Sequence, residues 1–103
     1  MSDKPHRVIL LEEAARLTSG DRDAEYGPPF NNLSDCATLW SVYIEAKYSG
    51  RSLNLTSEDI AWLNVLQKMA RTFAGNVKPD TYADAAAYSA IAGECAKIEE
   101  SMR

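Results

Sequence analysis

The chain has 103 residues and a mass of 11.4 kDa, with 46% apolar and 25% charged residues, which fits one domain over residues 1–103 and leaves no room for a second. Eleven Lys and Arg stand against 15 Asp and Glu, a net charge of −4. A broad basic surface for long nucleic acid or for a membrane is thereby excluded, and an anionic ligand must be met by a local cluster of cations.

The periodicity predicts four helices and no strands, an all-α bundle. The first covers residues 7–19, where Val8, Leu11, Ala14, Ala15 and Thr18 follow helical spacing and Gly20 stands where a left-handed cap belongs. A short polar connector over 20–28 ends in Pro28-Pro29, which fixes an extended approach to the second helix, 29–48. There Leu33, Cys36, Trp40, Tyr43 and Ile44 form an apolar stripe, and Gly50 stops it. Thr56 is the expected N-cap of the third helix, with Asp59 adding negative charge near its start, and the helix runs to about residue 74, closed by Gly75-Asn76. On it Trp62, Leu63, Val65, Leu66, Met69, Ala70 and Phe73 share a wide arc, while Asn64, Gln67, Lys68 and Arg71 gather opposite, together with Ile60. Trp40 and Trp62 are expected in the core. The last helix opens at Pro79-Asp80, with Asp80 as the candidate N-cap, and continues to about residue 102. Its run of Ala83, Ala85, Ala86, Ala87, Ser89, Ala90, Ala92 and Gly93 allows a neighbouring helix, of this chain or of another copy, to approach closely. A bundle of this size buries a modest core, so a homo-oligomer is expected.

Several chemistries find no motif. There is no GxSxG, no phosphate loop, no HExxH and no Gly-rich dinucleotide fingerprint. Cys36 and Cys95 form no CxxC and, with the single His6, no zinc set, so no metal ligand is assigned and both thiols are expected reduced and semi-buried. No apolar run approaches the ~20 residues that span a bilayer. Residues 8–11 are too short for a signal-peptide core, and the chain is expected in the cytoplasm.

Three groups remain as candidates for a site. On the last helix Asp80, Asp84 and Tyr88 share a stripe with Ile91, Cys95 and Ile98, and a carboxylate on a packed face must be paired, hydrogen-bonded or bound. Lys68 and Arg71 on the third helix supply cations that suit phosphate, with Tyr88 stacking or donating. In the connector, Arg22 and Tyr26 offer a pre-ordered cation and ring for a nucleotide, and Asn32 at the start of the second helix can read a base edge or donate to phosphate. The ordinary alternatives are that Asp80 caps the helix, that Asp84 holds one cation, and that the remaining charges are solvated.

The order of Gly20-Asp21-Arg22, Tyr26-Gly27-Pro28, Asn32, Leu39-Trp40, Thr56 to Asp59, Lys68-Met69-Ala70-Arg71 and Asp80-Thr81-Tyr82-Ala83-Asp84 through Tyr88 resembles a family of short helical proteins of phages and prophages. It is similar in plan to phage nucleotide-modification-associated helical domains and, more remotely, to MazG-like all-α nucleoside triphosphate pyrophosphohydrolases. The resemblance implies a phage protein of the host cytoplasm acting on nucleotides. MazG-like enzymes hold magnesium through EExxE and ExxD motifs, because clustered carboxylates are needed to hold a hard cation against diphosphate. Here Glu12-Glu13 is followed by Arg16 and Leu17, and Asp80 with Asp84 gives DxxxD.

Three functions follow as expectations. The first is a small nucleotide-binding protein without turnover and without a cofactor, sequestering a nucleotide or cyclic-nucleotide defence signal. The second is a divergent pyrophosphohydrolase with magnesium on Asp80, Asp84 and Glu12 or Glu13. The third is a helical module that binds a host protein.

Overall fold

A computed structural model describes residues 3–20, 28–48, 52–75 and 77–103. Among them the chain is all-α: α1 (His6–Leu17), α2 (Pro29–Tyr48), α3 (Ser57–Arg71), a 3-10 turn (Thr72–Ala74) and α4 (Pro79–Ser101). The four helices stand where periodicity and Gly/Pro punctuation predict them, and α2 has the expected bounds.

Each helix end has a local cause. Helix α1 ends at Leu17 with Thr18 as its C-cap, whose backbone N–H and hydroxyl both donate to the Ala14 carbonyl, at 3.2 and 3.1 Å, and so satisfy an end carbonyl. Gly20, with φ +109°, lies two residues beyond that cap. Helix α3 starts in a capping box: Thr56 Oγ1 accepts from the Asp59 amide at 3.2 Å, and Asp59 Oδ2 accepts from the Thr56 amide at 2.9 Å. Gly75, with φ +87°, ends the 3-10 turn. At α4 the expected cap moves by two positions. Pro79 occupies the first turn, where its fixed φ and missing N–H suit N1, so the extended residue before it, Lys78, is the cap and Asp80 lies inside the first turn.

Helices α3 and α4 form the most extensive contact and run antiparallel. At one end the Ser57 hydroxyl donates to Glu99 Oε2 at 2.5 Å, and at the other Lys68 meets Asp84. The small residues of α4 make this approach possible: Ala92 and Cys95 are buried in one cluster with Ile60 and Ala61 of α3, and Ala83 and Ala87 are buried further toward the start of α4. Helix α1 packs on α4, and the first half of α2 packs across α3 through Leu33 and Ala37. The segment after α2 is tied back along it, with the Leu55 amide donating to Ser41 Oγ at 3.0 Å and the Leu53 amide to Glu45 Oε1.

One face is inverted relative to expectation. Trp62, Leu66, Met69 and Phe73 are exposed while Ile60, Asn64 and Lys68 turn inward; Leu63 of the apolar arc still packs on the core, and Gln67 and Arg71 of the polar arc stay exposed. The close α3–α4 approach admits Ile60 and Ala61 and has no space for the bulk of the apolar arc. Trp62 is 45% exposed, its indole N–H donating to Glu58 Oε2 at 3.0 Å, and Trp40 is 44% exposed, so neither tryptophan is a core residue.

Candidate functional site

Where the four helices diverge they leave a pocket of about 450 Å³, within the range of small-molecule sites. Leu17 and Thr18 contribute from the end of α1, Asn32, Leu33, Cys36 and Trp40 from α2, Ile60, Asn64 and Lys68 from α3, and Asp84, Tyr88, Ile91 and Glu94 from α4. Thr18 and Pro29, which line it, stand on either side of the connector.

Lys68 Nζ lies 3.0 Å from Asp84 Oδ2, with side-chain exposures of 14% and 30%. The register follows from the helices. Lys68 is two turns beyond Ala61 and Asp84 two turns before Ile91, so antiparallel packing brings the end of one helix to the start of the other. The pairing keeps a largely desolvated ammonium from being isolated.

The predicted site residues divide. Asn32, Lys68, Asp84 and Tyr88 meet around the pocket. Arg71 and Asp80 are exposed and do not line it. Asp80 instead lies near α1, where its charge adds to the stabilisation of the Arg16 cation, which is set mainly by Glu13. Arg22 and Tyr26 lie outside the described residues. Glu94 and Trp40 also line the pocket and were not predicted there. Glu94 follows Ala87 by two helical turns, so the α4 stripe could have been extended to it.

The acids of α1 are engaged locally. Lys4 Nζ meets Glu12 Oε2 at 2.8 Å, and the Arg16 guanidinium donates to both Glu13 oxygens, at 2.5 and 3.0 Å, holding the Glu13 carboxyl below the usual carboxylate range. Among the described residues no three His, Cys, Asp or Glu side chains converge in a metal-holding group, so the Asp80, Asp84 and Glu12/Glu13 set proposed for magnesium is not assembled. Cys36 and Cys95 are free thiols; Cys36 is half-buried on the pocket wall and Cys95 is buried in the core.

Residues 9–96 match the family model described as Domain of unknown function (DUF6378). The chain belongs to this family. The Gene 55 protein of Mycobacterium phage D29 is 38% identical over 80 residues, covering 78% of this chain and 48% of that protein. The Gene 55 protein of Mycobacterium phage L5 is 32% identical over 84 residues, covering 82% of this chain and 50% of that protein. This member thus spans about half the length of the curated relatives it matches, and the resemblance to short phage helical proteins holds. No solved structure matches the chain significantly. Among the described residues of this DUF6378 member, no helix is long and apolar enough to cross a membrane.

Proposed function

We propose that this phage-type protein binds a small nucleotide in the four-helix pocket and holds it without turnover, withdrawing a nucleotide signal from the host. The observation that carries the reading is the composition of the wall: a nearly buried cation, Lys68, beside the Trp40 and Tyr88 rings and the Asn32 and Asn64 amides. Rings offer stacking to a base, amides read its edge, and the ammonium attracts phosphate. Its charge narrows the ligand. Among the described residues of the wall one cation, Lys68, stands with two carboxylates, Asp84 and Glu94, a balance that favours a nucleoside monophosphate or cyclic nucleotide over a polyanion such as a triphosphate.

The test is thermal stability against a panel of mononucleotides, cyclic nucleotides and triphosphates, with and without magnesium. A ligand at 100 times its Kd adds about 2.7 kcal/mol, a plainly visible shift in Tm. The shift should disappear in Lys68→Met and persist in Arg71→Ala, whose residue lies outside the pocket. Absence of any shift would overturn the reading. Diphosphate released only with magnesium would replace it with the pyrophosphohydrolase.

The interaction-module reading draws support from a different feature, the exposed apolar faces of α2 and α3.

A further inference from the structure

Helix α3 and the turn after it carry Trp62, Leu66, Met69 and Phe73, spaced by four, three and four residues and 45%, 54%, 51% and 82% exposed. At ~100° per residue this stripe points away from the Ile60, Asn64 and Lys68 side that packs inward. Its spacing is that of the a and d positions of a heptad seam. The flanking positions, Leu63, Val65, Ala70 and Thr72, bear no charge. Helix α2 repeats the arrangement: Leu39, Val42 and Tyr43, 60–69% exposed, lie on the side away from buried Leu33, Ala37 and Ser41.

The area matters more than the pattern. The chain exposes 7702 Å², whereas a compact monomer of its mass exposes about 5,800 Å². Its radius of gyration is 15.8 Å, against about 12.8 Å for a compact chain of this length. The excess is roughly 1,900 Å² per chain. A standard-size interface buries about 800 Å² on each partner, well within that excess.

We infer that a second copy of this chain covers the α3 stripe. A self-association surface must be complementary to itself, and an uncharged apolar seam on a chain of net charge −4 meets its own copy there without like-charge repulsion. Of the small-residue run of α4, Ala83, Ala87 and Ala92 are already buried within the same chain.

Light scattering during gel filtration at micromolar concentration tests the inference. The expected mass is twice 11.4 kDa, falling to that of one chain in the double variant Leu66→Glu, Met69→Glu with helicity retained by circular dichroism. A monomeric wild type, or a variant that stays dimeric, overturns it. Should the double variant unfold, a Trp40→Phe protein, in which Trp62 is the remaining tryptophan of two, decides the matter. Its emission should move to the red on dilution as the seam is uncovered, and an emission independent of concentration overturns the inference.

Discussion

Lys68 and Asp84 pair at 3.0 Å across the α3–α4 interface, and the pair is both a structural tie and the charged part of the pocket. Asp84→Asn leaves Lys68 with its charge largely desolvated and unpaired. Because Asp84 is still 30% exposed, the expected loss is below that of a fully buried pair, about 1–2 kcal/mol by urea unfolding. Lys68→Met, which removes the charge and keeps the aliphatic stem, should cost less. A double variant no less stable than Lys68→Met alone would mark the Asp84→Asn loss as the cost of the stranded cation.

The capping box sets where α3 begins, and α3 holds Ile60, Asn64 and Lys68 against α4. Thr56→Ala removes the acceptor of the Asp59 amide and should lower stability by about 1 kcal/mol in urea unfolding. Thr56→Ser should restore most of it, since the hydroxyl returns.

The α3–α4 approach depends on alanine at two central positions, beside Ile60 and Cys95. Ala61 and Ala92 have no exposed surface. Enlarging either to Leu is expected to cost about 1–3 kcal/mol through overpacking. The same substitution at exposed Ala90 should be close to neutral.

The two thiols should separate chemically. Cys36 on the pocket wall is expected to react with a maleimide well before buried Cys95, and a ligand filling the pocket should slow Cys36 alone. Burial pushes the Cys95 thiol up, and the charges of Glu99, Glu94 and Glu58 push the same way against an opposing hydrogen bond from Ser57. With the folded pKa above the unfolded one, the contribution of Cys95 is fully present below the unfolded value of ~8.5 and is lost as pH rises through the folded value. Stability measured at increasing alkaline pH should therefore fall more steeply in the wild type than in Cys95→Ala.

The sequence by itself determined the helices, because their ends are local events. Pro29 and Pro79 fit a first turn, Thr56 and Asp59 close a cap within four residues, and Gly75 takes a positive φ. It also carried the pairing of an α4 acid with an α3 cation, since a carboxylate on a packed stripe requires a partner. The likeness to short phage helical proteins was legible in motifs spread from Gly20 to Tyr88, whereas the comparisons do not extend it to MazG-like enzymes. Only the tertiary structure decided which way each helix faces. Hydrophobicity alone turns the arc of Trp62, Leu66 and Met69 inward, but the alanines of α4 bring its backbone so close that Ile60 and Ala61 fit there and the large side chains do not. That choice places Lys68 in the pocket and leaves Arg71 and Asp80 at the surface, although all three carry the same sequence signal. Facing is set by the volume between two helices, a quantity that belongs to the pair and is not written in either helix alone.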